Sequence, residues 1–235
     1  MRLSILFLIV AVTAAASPTI FSSGVARTHL VELYSSEGCS SCPPAEAWLG
    51  DLRDAPGLWS DFVPVAFHVS YWDRLGWPDR FATKENTARQ SAYASLWGSG
   101  SVYTPEFVLD GAEWRMLAQR TPPPPSGEKD AVLKVDYEAT GICRVNYAGS
   151  GENEIHVALL GGGIISEVRA GENQGRKLRH EFVVLALQSV ALQGGTAELT
   201  LPQSTEKGVT RHALAVWVTR RGTLTPMQAT GGWLE

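Results

Sequence analysis

The feature that most constrains this chain is the pair Cys39 and Cys42, which stands between a strand-like and a helix-like segment. Residues 29–34 form an apolar run before the pair, and a helical apolar pattern follows it. Two thiols on the first turn of a helix can close a small disulfide ring, and the positive N-terminus of a helix favours the thiolate. Thiol–disulfide exchange requires one attacking and one resolving sulfur. The pattern therefore predicts a redox-active pair.

The two cysteines are predicted to have different roles. Cys39 precedes the helix, so we expect it to be exposed and to attack, with Gly38 leaving room for a protein thiol. Cys42 lies one turn inside the helix and is predicted to resolve the mixed disulfide. Pro43 and Pro44 stiffen the first turn, where most backbone N–H groups have no helical acceptor.

Two other interpretations of the pair stay open. A structural disulfide is common in exported proteins, although a four-residue ring constrains the unfolded chain little. A metal site is the other: the pair could be half a zinc site, although no second Cys-x-x-Cys or His-x-His motif follows, or Cys39, Cys42 and His68 could hold soft Cu(I). The redox hypothesis assigns no metal ligand and requires no dissociable cofactor.

Residues 1–16 have the pattern of a secretory signal. Arg2 supplies a charged start, residues 3–12 are apolar, and residues 14–16 are small, as a cleavage site requires. A cut as late as residue 26 also fits. The apolar run is shorter than the roughly 20 residues of a membrane-spanning helix. We therefore expect an exported protein, periplasmic or secreted, with no stable membrane insertion after signal removal.

Charge and cysteine content exclude some classes of protein. Lys and Arg number 20 and Asp and Glu 24, which gives a net charge of −4. A mildly acidic chain without a basic run is not expected to bind nucleic acid. Three cysteines are too few for a disulfide framework. The expected partners are protein or small-molecule thiols and disulfides.

Four consecutive prolines, residues 122–125, predict a stiff linker over residues 121–130. The segment before it, residues 27–120, alternates predicted strands and helices, which favours parallel strand pairs with helices on the sheet faces. Its second helix is predicted to begin at an Asp79 N-cap and to bury Phe81, Ala88, Ala92 and Leu96. The predicted strands are 31–34, 62–69 and 106–110, and the predicted first helix is 43–53.

The segment after the linker, residues 131–235, has the pattern of a small β-sandwich. Short strands alternate with glycine-rich turns. Cys143 falls on an apolar strand position and is predicted to be a buried small residue, with a mixed disulfide as the alternative. The predicted strands are 132–138, 142–147, 155–160, 164–168, 181–192, 197–201 and 214–219.

Thr104 and Pro105 begin the strand that ends near Asp110. Together with the cysteine pair, this strand start resembles the thioredoxin-like fold. The resemblance implies that Cys39 is the nucleophile, that Cys42 resolves, and that Pro105 is a cis-proline beside them. It also implies that the backbone of Thr104 binds an extended peptide.

More narrowly, residues 31–45, 67–77 and 171–176 resemble an exported thioredoxin-like family called domain of unknown function 1223. The implied fold class is an α/β thioredoxin-like domain followed by an all-β sandwich-like domain. A buried acid assists proton transfer in the thioredoxin-like fold, and Glu32 is the candidate here.

The segment after the second predicted strand is rich in polar and aromatic side chains. His68, Tyr71, Trp72 and Asp73 lie at the carboxyl end of that strand, where open α/β sheets place ligand sites. They are predicted to line a substrate groove near Cys39. The alternative is that Trp72 covers a sheet edge and that His68 is hydrogen-bonded in the core.

The leading hypothesis is an exported thiol–disulfide oxidoreductase in which Tyr71, Trp72, Thr104 and Pro105 bind substrate. A non-catalytic thioredoxin-like binding protein with a static disulfide and a Cu(I)-handling protein are the alternatives.

Overall fold

The computed structural model describes residues 17–115 and 121–234. In these ranges α1 (Pro43–Asp51) and α2 (Lys84–Leu96) are the α-helices, and two 3-10 helices span Leu52–Asp54 and Ser70–Leu75. The strands are β1 (Thr19–Ser22), β2 (His29–Ser35), β3 (Phe62–His68), β4 (Glu106–Leu109), β5 (Ala112–Glu113), β6 (Leu133–Tyr137), β7 (Ile142–Tyr147), β8 (Asn153–Gly162), β9 (Ile164–Glu167), β10 (Lys177–His180), β11 (Val183–Ala191), β12 (Thr196–Thr200), β13 (Arg211–Arg220) and β14 (Pro226–Leu234).

Strands from both halves of the chain form one eight-stranded sheet with the order β14-β13-β8-β11-β3-β2-β4-β5. β2 runs parallel to β3, and β3 pairs in parallel with the start of β11, while the other pairs are antiparallel. Nearly every residue of β2 and β3 is buried, as expected for central strands covered on both faces.

A second sheet, with the order β1-β6-β7-β12, packs against β8 and β13 of the large sheet. Their shared core contains apolar side chains from β6 and β7 on one side and from β8 and β13 on the other. β9 and β10 form a separate two-stranded sheet.

The predicted fold class is wrong. Strand predominates over helix, 43% against 15%, and residues 17–115 and 121–234 contain no separate α/β thioredoxin-like domain. β2, β3 and β4 instead share a sheet with β8, β11, β13 and β14, so the second half is not a self-contained sandwich either. Periodicity predicts that a segment is a strand but not which strand lies beside it, and here β11 occupies the edge of β3.

The predicted domain boundaries stay a prediction. Residues 128–130 of the predicted linker lie against residues 25–27: the Arg27 amide donates to the Glu128 carbonyl at 2.9 Å, and the Asp130 amide to the Val25 carbonyl at 3.0 Å. The predicted signal, residues 1–16, lies outside the described residues. A cut at residue 26 would remove β1, which pairs with β6.

Most local elements agree with the prediction, with one clear error at α2. The predicted strands 31–34, 62–69 and 106–110 are confirmed as β2, β3 and β4, and α1 with its 3-10 extension confirms the first helix. Asp79 is not the N-cap of α2, because Thr83 caps it and accepts a hydrogen bond from the Asn86 amide at 3.0 Å. The helix consequently buries Gln90 and Tyr93. Of the residues predicted to be buried, Ala88, Ala92 and Leu96 are exposed, and Phe81, which is buried, lies before the helix.

Candidate functional site

The cysteine pair forms a disulfide immediately before α1. Cys39 and Cys42 are bonded, with their Cα atoms 5.5 Å apart. Cys42 occupies the N-cap position of α1, and Pro43 and Pro44 form its first turn. The Cys42 carbonyl accepts the amides of Ala45 at 2.9 Å and Glu46 at 3.1 Å, which begins the helical hydrogen bonding. The helix N-terminus therefore directs its positive end toward the sulfurs.

Both bonded cysteines are fully buried, at 0% exposure, whereas Ser40 and Ser41 between them are exposed. The expectation that Cys39 would be exposed is wrong. Gly38 does not open a path for a substrate thiol either, since a Cβ at this position would lie 2.9 Å from the Cβ of Trp72. This glycine allows the chain to pass close to Trp72.

A loop from the second half of the chain covers Cys39. The Asn173 side-chain amide donates to the carbonyls of Glu37 and Cys39, both at 2.9 Å, and Asn173 is itself fully buried. Glu172 accepts the Ser40 amide at 3.0 Å. We call residues 171–176 the covering loop. This segment carries part of the family resemblance, but no pattern in the sequence indicates that it lies over the sulfurs.

The four predicted substrate-binding residues lie together, and Thr104 joins them to the segment between the two cysteines. The Ser41 hydroxyl donates to the Thr104 carbonyl at 3.4 Å, and the Trp72 indole donates to the Thr104 hydroxyl at 2.8 Å. The peptide bond between Thr104 and Pro105 is cis. Tyr71 lies next to Trp72, with ring centroids 6.2 Å apart. These side chains are partly exposed, so they offer a surface next to the buried sulfurs.

Glu32, the candidate for proton transfer, belongs to a different network. Arg89 donates to both of its oxygens, at 2.8 and 3.1 Å, and the hydroxyls of Tyr34 and Tyr93 donate at 2.9 and 2.6 Å. The carboxylate is fully buried. Its donors bind it within the core, and none of these bonds joins it to the cysteines.

A second group of ionisable side chains was not predicted as a unit. Glu37, Glu46, His68, Asp79 and His180 are all buried, and we call them the His180 cluster. His180 lies between Glu46, which hydrogen-bonds to its Nδ1, and Glu37, whose Oε1 is 3.2 Å from its Nε2. His68 Nδ1 is 2.6 Å from Asp79 Oδ2, and its Nε2 is 4.0 Å from Glu46 Oε1. Glu37 and Glu46 flank the cysteine pair in sequence.

The carboxylates of this cluster hold positive charge on its imidazoles. Burial by itself would lower the pKa of His180, but Glu46 and Glu37 raise it to about 10. Burial likewise opposes charge on His68, and Asp79 and Glu46 raise its pKa. Burial would raise the pKa of Asp79, yet His68 and the amides of Glu37 and Phe81 lower it to about 2. The cluster is therefore an arrangement of mutually stabilised charges.

These positions correct the predicted groove. His68 is hydrogen-bonded in the core and does not line a surface groove, which agrees with the alternative stated for it. Asp73 accepts the Asp79 amide at 3.1 Å and so helps to position Asp79. His68 joins a ligand-like group with Glu46 and His180, and not the set with Cys39 and Cys42 considered for Cu(I).

Cys143 is a free, fully buried cysteine on β7, as the strand pattern predicted. Burial raises the pKa of its thiol to about 12, so it is unreactive in the folded protein. Among residues 17–115 and 121–234, no helix is both long enough and apolar enough to cross a bilayer.

Comparison with known proteins identifies the family. The family model described as Protein of unknown function (DUF1223) matches residues 30–219, which include the disulfide, the His180 cluster and the covering loop. The chain belongs to this family. The description assigns no activity, and no curated protein matches the chain.

Two solved structures are similar to this protein. One, from Agrobacterium tumefaciens, was determined by the Northeast Structural Genomics Consortium; it has 25% identity and a TM-score of 0.61, covering 89% of this chain and 94% of that one. The other is HBP35 of Porphyromonas gingivalis, with 12% identity and a TM-score of 0.54, covering 90% of this chain and 76% of that one. The second likeness shows the fold alone.

Proposed function

We propose that this protein is an exported thiol–disulfide oxidoreductase that acts through Cys39 and Cys42 on protein or small-molecule thiols. The observation that carries the proposal is the position of the disulfide at the start of α1, beside a surface formed by Ser41, Trp72 and Thr104. A disulfide that closes only a four-residue ring contributes little to stability through chain entropy. Its placement at a helix N-terminus next to accessible polar groups favours chemistry instead.

The reduced form would be stabilised by the groups around Cys39. Its sulfur lies 3.3 Å from the Ser41 hydroxyl, which can donate a hydrogen bond to a thiolate. The N-terminus of α1 adds positive potential at the same place. A thiolate that is held in this way is a good leaving group and an accessible one when the covering loop opens.

The reaction transfers two electrons between disulfides and dithiols. A substrate thiolate attacks the sulfur of Cys39, the Cys39–Cys42 bond breaks, and Cys42 leaves as a thiolate. A second substrate thiolate then attacks the substrate sulfur of the mixed disulfide and releases Cys39 as a thiolate. The substrate is oxidised to a disulfide and the pair is reduced; the reverse sequence reduces a substrate disulfide. An extended substrate would pair with the backbone around Thr104 and Pro105 and contact Tyr71 and Trp72.

Complete burial of both sulfurs favours a second candidate, a non-catalytic binding protein with a static disulfide. The two candidates differ in whether the covering loop opens in the folded protein. Asn173 is the residue to test, because its amide donates to two carbonyls beside the sulfurs. Asn153 is a matched control: it is also buried, and its amide donates to the Gly149 and Ser150 carbonyls at 3.2 and 3.3 Å, far along the chain.

The experiment measures disulfide reduction by dithiothreitol and insulin reduction in wild type, Asn173→Ala and Asn153→Ala. If the protein is an oxidoreductase, it exchanges thiols while folded and reduces insulin catalytically. The Cys39–Cys42 disulfide of Asn173→Ala is then reduced by dithiothreitol at least several-fold faster than that of wild type, and the disulfide of Asn153→Ala is not. A static disulfide gives no insulin turnover and is reduced only at the rate of global unfolding, in which case both variants accelerate it equally and the redox proposal fails. The Cys39→Ser, Cys42→Ser double variant is the negative control for insulin reduction.

Export is tested separately. The mature protein should be recovered outside the cytoplasm with its N-terminus near residue 17, which retains β1. Recovery of the intact chain, with Met1, from the cytoplasm would contradict export.

A further inference from the structure

We propose that Glu46, His68 and His180 form a binding site for a divalent transition-metal ion. The ligand atoms that these three side chains can offer lie within 4.8 Å of one another. The proposal concerns neither the disulfide nor its chemistry, so it stands whether or not the proposed redox function is correct.

The orientation of the two imidazoles is the first argument. Each has one nitrogen next to a carboxylate outside the triad: His68 Nδ1 next to Asp79, at 2.6 Å, and His180 Nε2 next to Glu37, at 3.2 Å. Each has its other nitrogen directed toward Glu46. Metal-binding histidines characteristically have this arrangement, in which a second carboxylate fixes the tautomer and orients the ring.

An unpartnered buried atom is the second argument. The Nε2 atom of His68 has no hydrogen-bond partner among the described residues, although the side chain is 0% exposed. Its Nδ1 is occupied by Asp79, so Nε2 is the atom left for a ligand. A buried nitrogen without a partner is costly, and a metal ion on the side facing Glu46 and His180 would satisfy it.

Distance and charge also fit a cation. Bonds of about 2.0–2.2 Å to nitrogen and oxygen place tetrahedral ligand atoms roughly 3.4 Å apart. His68 would need to move toward the other two side chains by about an ångström, while Glu46 and Nδ1 of His180, which now share a hydrogen bond, would separate to admit the ion. Three carboxylates in the His180 cluster face two imidazoles, which leaves excess negative charge for a divalent ion. Two nitrogens and one carboxylate suit Zn²⁺ and its first-row neighbours, and Zn²⁺ is the probe we would use.

An approach to the site exists beside α1. Glu46 lines a cavity of about 260 Å³ between α1 and β10. Arg53, Arg176, Lys177 and Arg179 also line it, so entry of a cation should be slow and titrations need long equilibration. When the ion binds Nδ1 of His180, the proton now shared with Glu46 leaves to solvent.

The test uses oxidised full-length mature protein, with the disulfide closed, after removal of metal by a chelator and dialysis. Calorimetric titration with Zn²⁺ in two buffers of different ionisation enthalpy should show one equivalent bound and about two protons released, one from each imidazole. His68→Ala should lose stoichiometric binding, and Asp79→Asn should weaken it about 10–100-fold through the orientation of His68. His156→Ala, a buried histidine outside the cluster, and the Cys39→Ser, Cys42→Ser variant should bind as wild type does.

Three outcomes would overturn the proposal: no stoichiometric uptake by wild type, full binding by folded His68→Ala, or loss of binding in the cysteine variant. If His68→Ala fails to fold, the Co²⁺ complex of wild type decides instead. Its absorption spectrum should show nitrogen and oxygen ligands without a thiolate charge-transfer band, and such a band would overturn the proposal.

Discussion

Two buried histidines in this protein have opposite electrostatics. His156 on β8 lies between hydroxyl groups, with Nδ1 2.7 Å from Ser189 Oγ and Nε2 3.0 Å from Thr219 Oγ1, and it stacks on Trp217. Burial, aided by Arg89, lowers its pKa to about 3. Burial acts on His180 in the same direction, yet the carboxylates of Glu46 and Glu37 raise its pKa to about 10.

The comparison shows that burial alone does not decide the charge of a histidine. Hydroxyl groups accept or donate and are indifferent to the protonation state, so burial decides at His156 and the ring is neutral. An ionised carboxylate accepts hydrogen bonds and cannot donate them, so Glu37 and Glu46 favour the form of His180 that has a proton on both ring nitrogens. His156 is a neutral ring packed in the core. His180 lies between the carboxylates of Glu37 and Glu46, whose negative charge a proton or a metal ion can balance.

Removal of His180 is expected to have the largest effect. His180→Leu leaves Glu37 and Glu46 buried without their cation, which should lower the free energy of unfolding by about 3–5 kcal/mol. His156→Leu leaves two hydroxyls unpaired and should cost about 1–3 kcal/mol. Urea unfolding at pH 6 with a chelator present measures both values. Equal losses would show that the two sites do not differ in charge.

The pH dependence of stability should separate the two sites next. The folded-state pKa of His180, about 10, lies above its ordinary 6.5, so its contribution is complete below about pH 6.5 and is lost as the pH rises toward 10. The folded-state pKa of His156, about 3, lies below 6.5, so its contribution is present above about pH 6.5 and is lost as the pH falls toward 3.

Urea unfolding between pH 4 and 9, with a metal chelator present, measures the free energy of unfolding on the acid and alkaline sides of this curve. His180→Leu should flatten the decline above pH 6.5. It should also change the acid side, because burial would raise the pKa of Glu37 and Glu46 and contact with His180 is what lowers it. His156→Leu should flatten part of the decline below pH 6.5. Asp79 contributes little to this range, because its stabilisation is lost mainly between its ordinary pKa of 3.8 and its folded-state pKa of about 2. An unchanged alkaline limb in His180→Leu would contradict the assignment of positive charge to His180.

A single carboxylate can be removed to sharpen the comparison. Glu46→Gln keeps the size of the side chain but removes one negative charge beside His180. The alkaline decline in the free energy of unfolding, measured by urea unfolding, should still begin near pH 6.5 but be complete roughly 1–3 pH units lower. Glu167→Gln on β9 is the control, because Glu167 pairs with Lys177 at the surface next to β10. An equal shift in both variants would mean that general charge, and not the contact with Glu46, sets the pKa.

The sequence predicted the local elements better than their assembly. The strands β2, β3 and β4 and the helix α1 have clear apolar patterns of their own, and the spacing of Cys39, Cys42 and Pro105 indicated that part of the site. The pairing of β3 with β11 has no local signal, which is why the α/β domain was wrongly predicted. Asn173 covers Cys39 although the two residues are 134 positions apart in the sequence, so no local pattern could predict this contact.

The His180 cluster was missed for a related reason. β10 has four residues, of which only Leu178 is strongly apolar, so alternation gives too short a pattern to predict a strand. Glu46 lies in the first turn of α1, where an acidic side chain is expected at the surface because it favours the helix dipole. Its burial is explained only by His180 and Ser35, which no spacing rule connects with it.

The smallest expected effect lies at the hydroxyls around His156. Ser189 is exposed, so water replaces its hydroxyl in Ser189→Ala and the loss should be about 0.5 kcal/mol. Thr219 is fully buried, so Thr219→Val leaves Nε2 of His156 without a partner and should cost about 1–3 kcal/mol. Neither variant should move the alkaline limb of the stability curve, because neither touches the His180 cluster. A shift of that limb in Thr219→Val would mean that the two histidines are coupled, and the contrast between a packed neutral ring and a charged one would have to be abandoned.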